Sequence, residues 1–159
     1  MKKDQTNSIA RGNYFWILLR LGLGWIFLWA FIDKLFGLGF ATASDKSWLA
    51  GGSPTLGFLS SAVQGPFASF YQSIAGSIFV DWLFMAGLFL IGTSLILGVF
   101  LRTAGYSGAL MMFLMWTAIL PPTNNPLLDD HIIYLLVLLG IAAVNPKQFG
   151  LNDLLRRIR

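Results

Sequence analysis

The chain has no cysteine, no glutamate and a single histidine among its 159 residues. Without thiols it can form no disulfide and can supply no thiolate to a metal or an iron–sulfur cluster. One histidine cannot build a bis-histidine haem site within one protomer. Any redox chemistry therefore needs a diffusible cofactor, a partner subunit or the substrate alone, and no haem, iron–sulfur cluster or metal site is expected. Charge is scarce too, at 11% of residues against 56% hydrophobic, and the mean hydropathy is +0.69. The 14 Phe and 6 Trp exceed what a small soluble core can hide. The net charge of +4 is not gathered into a basic patch with a recognisable motif, so no nucleic-acid partner is expected.

What is present is a set of four apolar segments, at about 13–36, 81–101, 104–120 and 129–145. A run of about 20 apolar residues crosses a hydrocarbon core of about 30 Å. Pro121-Pro122 stops the third, since neither proline donates a helix hydrogen bond. The fourth reaches spanning length only if Asp129, Asp130 and His131 belong to its first turn. The expected fold class is an all-α integral membrane protein. It is a four-transmembrane-helix bundle over a single domain, 1–159, with short extracytoplasmic helices between the first and second spans.

Orientation follows from the cations. Alternating spans put Lys2, Lys3, Arg11, Arg102, Lys147, Arg156, Arg157 and Arg159 on one side, and only Lys34 and Lys46 on the other. The positive-inside rule makes the first side cytoplasmic, so both termini lie inside a multi-pass protein of the cell membrane, with the lipid bilayer as its main partner. Ala41-Thr42-Ala43 has the look of a signal-peptidase site, but the preceding apolar stretch is too long and Asp33-Lys34 interrupts it, so no cleavage is expected. The outer segment at about 44–79 reads as short helices, with Ser53-Pro54 as a start and Gly65-Pro66 as a stop. In the tail, 150–159, Leu151, Leu154, Leu155 and Ile158 recur at helical spacing beside three arginines, the pattern of a basic helix lying on the inner leaflet. Ser94-xxx-Gly98, Ala104-xxx-Gly108 and Gly105-xxx-Ala109 mark faces where backbones approach closely.

The same threading brings Asp33, Lys34, Asp81, Asp129, Asp130 and His131 to the outer ends of the helices. As helix ends in water, Asp81, Asp129 and Asp130 are N-terminal carboxylates that satisfy free N–H groups. As a functional cluster they are a proton-exchange or ligand site, because boundary charges in membranes are costly to keep. In that reading His131 is the proton donor or acceptor, Asp129 and Asp130 orient it, and Tyr134 lies one turn on. Arg20 either snorkels to inner headgroups or faces the bundle. Lys34, 14 positions later, lies within about 40° of the same helix face. Trp25, Trp29, Trp82 and Trp116 offer flat walls for a ring-shaped ligand, or interface anchors.

Three stretches, "RLGLGWIFLWAFIDKLFGLGF" from Arg20, "FVDWLFMAGLFLIGTSLILG" from Phe79 and "LPPTNNPLLDDHIIYLLVLLG" from Leu120, resemble the DoxX family of small membrane proteins. The resemblance runs from about 13 to 144. It implies a four-helix membrane fold and a tie to redox systems, since the family includes the membrane subunit of a thiosulfate:quinone oxidoreductase. Three functions stay open. One is a quinone-interacting subunit that exchanges protons at the outer face, linked to oxidation of a sulfur compound such as thiosulfate, with Arg20, Lys34, Asp33, Asp81, Trp82, Tyr134 and Trp116 around the quinone. The second is a non-enzymatic anchor for an extracytoplasmic oxidoreductase. The third is a small transporter or cation-binding protein, for which a homo-oligomer supplies the missing helices. The outer carboxylates weigh against capture of a dianion such as thiosulfate.

Overall fold

The computed structural model describes residues 2–123, 125–146 and 150, with residues 2–13 as backbone only. The expected tail helix lies outside the described residues. Among these residues the chain is all-α, with no strand. Four long helices, α1 (Lys2–Phe36), α3 (Ile78–Leu97), α4 (Leu101–Ala118) and α5 (Asp130–Val144), pack in sequence, and α5 closes back on α1. A short helix, α2 (Ala68–Ser73), lies in the segment between α1 and α3.

Neighbouring helices are antiparallel, and small residues fix where they cross. Gly24 of α1 lies against Leu95 and Ile96, and Gly92 of α3 lies against Leu28. Gly105 and Gly108 of α4 abut Leu138 of α5, with Ala142 also beside Gly105. Ala104 and Ala109 are buried on the same face, so both small-residue patterns of α4 mark a packed surface. The core between the four helices is aliphatic, built from Leu23, Phe27, Met85, Leu88, Ile91, Leu95, Met112, Leu138 and Ile141.

On α1 the buried positions Ile17, Arg20, Leu23, Gly24 and Phe27 form a stripe at helical spacing, whereas Asp33 lies off that face and is buried under the turn at Phe40 and Ala41. The helix begins at Lys2, well before the apolar stretch, because a polar extension of a long helix needs no new nucleus. The α3–α4 corner is tight. Gly98 caps α3 at φ 69°, and Phe100 starts α4 at φ 49°.

Two of the helices, over Tyr14–Phe36 and Ile78–Leu97, are long and apolar enough to cross a membrane, each with a mean hydropathy of 1.9. Helix α5 is apolar but has 15 residues, a rise of about 22 Å. The segment between α1 and α3 is a packed cap on one end of the bundle. Gly37 turns the chain at φ 67°, and the amides of Trp48 and Leu49 return to the carbonyls of Lys34 and Leu35 at 2.9 and 3.2 Å. Ser53 Oγ accepts from the amide of Leu56 at 3.1 Å, the capping bond that Ser53-Pro54 predicts, and a π-type turn follows at Phe58–Ala62. Further along, Gln64 bonds the carbonyls of Ala118, Ile119 and Pro121, and the Tyr71 hydroxyl donates to Leu114 O at 2.9 Å. Leu59, Val63, Tyr71 and Ala118 make this cap a small core of its own.

Candidate functional site

The carboxylates predicted to cluster are brought to one end of the bundle, but each has its own work there. Asp33 is buried at the end of α1, and its two oxygens accept from the amides of Phe40 and Ala41 at 3.3 and 3.0 Å. It thereby fixes the turn that follows α1. Asp81 is buried in the first turn of α3, where Oδ1 alone accepts from Ser53 Oγ (2.9 Å), the Thr55 amide (3.2 Å) and Thr55 Oγ1 (2.6 Å). Asp129 is the N-cap of α5, accepting from the amides of His131 and Ile132. These are the bonds that carboxylates make at helix ends and loop anchors.

The His131 ring is held by the same capping residue. Its Nδ1 lies 2.6 Å from Asp129 Oδ2, and both side chains are about four-fifths covered. Asp129 so orients the imidazole. Asp130 is exposed and makes no hydrogen bond or ion pair with the described residues. Tyr134 packs at the edge of the main core. Trp116 lies beside this end of α5 through a 3.2 Å bond from Nε1 to the carbonyl of Leu127, and Trp82 stands edge-on to Trp48 at 4.6 Å.

Two concavities open at this end. The larger, about 270 Å³, is lined by Trp25, Ile26, Trp29, Ala30, Asp33, Lys34, Phe40 and Ala41. Its walls are aromatic. Trp25 and Trp29 lie 5.7 Å apart in a tilted pair, and Phe40 meets Trp29 edge-on at 5.1 Å. Lys34 stands at its polar end, half-buried, without a hydrogen bond or ion pair among the described residues. The second, about 250 Å³, runs between Trp48, the glycines 51, 52 and 76, and Asp81, whose Oδ1 already accepts three bonds. His131 lines neither. Of the residues the sequence reading sets around a ring ligand, Asp33, Lys34, Trp25 and Trp29 line the larger groove, whereas Arg20, Asp81, Trp82, Trp116, Tyr134 and His131 do not, and Phe40 is an addition. The available signal was Gly37 and Gly39, both at positive φ, which fold the chain back so that Phe40 covers Trp29.

Arg20 sits at the opposite end of the bundle. It is fully buried, and its Nη1 donates to the carbonyl of Pro146 at 2.9 Å. It thus faces the interior of the bundle, far from Lys34. Among the described residues, no group of three or more His, Cys, Asp or Glu is placed to hold a metal. Comparison with protein-family models, with curated proteins and with solved structures finds no match.

Proposed function

We propose that the chain is a four-span protein of the cell membrane that holds a lipid-soluble ring ligand, most simply a quinone, in the aromatic groove at its outer end. The observation that carries the reading is the groove itself: flat apolar walls from Trp25, Trp29 and Phe40, with the Lys34 ammonium, beside Asp33, at the end where a ring carbonyl would lie. Its volume is slightly below the usual range of about 300–1,000 Å³ for small-molecule sites, enough for a ring while an apolar tail runs along exposed α1.

Lipid as the surrounding solvent is supported by how the helices are spent. The most apolar windows of α1 and α3 are only 28% and 33% buried, whereas a core helix of a soluble protein hides most of its surface. Phe15, Phe79, Trp82 and Phe100 all point outward. The 18 residues of α4 and 15 of α5 span by sharing the bundle with longer partners and thinning or tilting against the bilayer. With the basic ends of the helices inside, the groove and the Asp129–His131 pair face outward. Because the chain has no cysteine, one introduced thiol reports its side without background. An impermeant maleimide is expected to label Asp45→Cys in intact cells and Thr103→Cys only after permeabilisation. Labelling of both from the same side would overturn the four-span arrangement.

Quinone reduction consumes electrons as well as protons, and this chain has no side chain suited to store electrons, so an oxidoreductase partner supplies them. The oriented His131 exchanges protons with the exterior beside the groove and not within it. A water-soluble short-chain quinone is expected to quench tryptophan fluorescence saturably at one per protomer. Lys34→Ala is expected to weaken it about tenfold, the equivalent of one lost charge-assisted hydrogen bond. His131→Ala should leave the affinity within about twofold. Linear, unsaturable quenching in the wild type would sink the reading. A second reading, a non-enzymatic anchor for a soluble oxidoreductase, is favoured by one observation: the outer cap is a folded body that presents Leu49, Leu56, Phe67 and Phe70 outward.

A further inference from the structure

The inner end of the bundle contains a charge that the described residues do not balance. Arg20 is 0% exposed, and while Nη1 reaches Pro146 O, its Nε and Nη2 have no partner among the described residues. Those two atoms are the donors of one edge of the planar guanidinium. That edge makes two parallel bonds to a carboxylate or a phosphate, the strongest geometry arginine offers. A buried cation is ordinarily paired, because removing it from water unpaired costs far more than a hydrogen bond returns.

The described carboxylates do not meet this need. Asp33, Asp81, Asp129 and Asp130 are at the other end of the helices, and Asp45 is in the outer cap. The backbone, in contrast, is fitted around the guanidinium. Gly98 has φ +69°, and a Cβ there would fall 2.5 Å from Nη1 and 2.8 Å from the Cα of Gly150. Pro146 O takes the one bond from Nη1, Gly150 lies beside Gly98, and Arg102, exposed in the first turn of α4, adds positive potential at the same end.

We infer that the Nε–Nη2 edge of Arg20 is an oxyanion site for a phosphate group, either the headgroup of an inner-leaflet phospholipid or free phosphate. The bound phosphate supplies the guanidinium with the charge partner that the described residues lack. The site is separate from the outer groove and does not depend on the quinone reading, so Lys34→Ala leaves it intact.

The test uses the full chain, stripped of lipid in a neutral detergent, with three probes: dioleoyl phosphatidylglycerol, dioleoylglycerol and inorganic phosphate. Native mass spectrometry is expected to find one phosphatidylglycerol per chain, and the thermal midpoint to rise with it but not with dioleoylglycerol. An equal rise with inorganic phosphate would assign the site to the free ion and still support it. Arg20→Lys, which keeps the charge but loses the two-donor edge, is expected to weaken binding at least about tenfold, against less than about threefold for Arg102→Gln. Arg20→Gln serves where the lysine variant does not fold. The proposal fails if neither phosphate probe raises the wild-type midpoint, or if the Arg20 variants respond as the wild type does. It fails equally if Arg20→Lys and Asp153→Asn prove strongly coupled, since the edge would then belong to a carboxylate of this chain.

Discussion

Replacement of Gly105 by leucine is expected to separate α4 from α5 and to lower stability by about 3 kcal/mol, the upper range for overpacking a tight core. A single Cβ at this position already falls 2.7 Å from the carbonyl of Leu138 and 2.8 Å from the Cβ of Ala142. Neither neighbour can yield, since one is helix backbone and the other is held by the same interface. Leucine adds further atoms beyond that point, so the helices have to move apart and the contacts of Ala104, Gly108 and Ala109 go with them. Between apolar helices in lipid the attraction is close packing itself, so lost contact has no hydrophobic substitute. Gly22 is the control, because nothing lies within 4 Å of a Cβ built there. Gly22→Leu is expected to stay within about 0.5 kcal/mol of the wild type. Reversible unfolding in mixed micelles measures both, and a loss below about 1 kcal/mol for Gly105→Leu would mean that the α4–α5 spacing is not what holds the bundle.

Asp81→Ala is expected to release the outer cap, at a cost of about 3 kcal/mol, with the end of α1 and the start of α3 left in place. One carboxylate oxygen takes three donors from Ser53 and Thr55, and both Thr55 and Asp81 are buried. Truncation leaves the Thr55 amide and hydroxyl without an acceptor, and the penalty for a buried unmet donor is about 1–3 kcal/mol. Asp81→Asn retains an acceptor at the same place and is expected to lose about 1 kcal/mol. Asp130→Asn, at an exposed position, should be neutral within about 0.5 kcal/mol. Faster proteolysis between Leu49 and Phe70, with a red shift of the Trp48 emission, reports the opening. If Asp81→Ala kept the cap protected, the carboxylate would be free for chemistry after all.

These two positions show what the sequence could and could not convey. The helices were legible because their signals are local: long apolar runs, Pro121-Pro122 as a stop and Ser53 as a cap, whereas α3 ends at Gly98, short of the expected 101. The small residues of α4 were legible as a face, and the face is packed. The work of Asp33 and Asp81 was not, because it depends on donors 7 to 28 residues away that only the folded cap delivers. A sequence places carboxylates at one end of a bundle but does not say which ones are already satisfied. Arg20 is a similar case. Its position on α1 was plain, but its direction is decided by Gly98 and Pro146, on the far ends of two other helices. Phe40 joined the groove through two glycine turns whose sense no pattern of side chains encodes.

The groove also changes how the histidine is understood. His131 drew attention as the single histidine of the chain. The structure gives it a carboxylate partner at 2.6 Å and a place outside the aromatic walls, while Lys34, a less conspicuous residue, lines the groove. The proposed function assigns binding and proton exchange to different side chains, and the variants Lys34→Ala and His131→Ala separate them.

Organic extraction and mass spectrometry of the gently solubilised protein test the ring-ligand claim most directly. The wild type is expected to carry a quinone at close to one per protomer, and the double variant Trp29→Ala, Lys34→Ala to carry none while remaining folded. A wild-type protein free of quinone under mild conditions, or a double variant that retains it undiminished, would contradict the assignment of the groove.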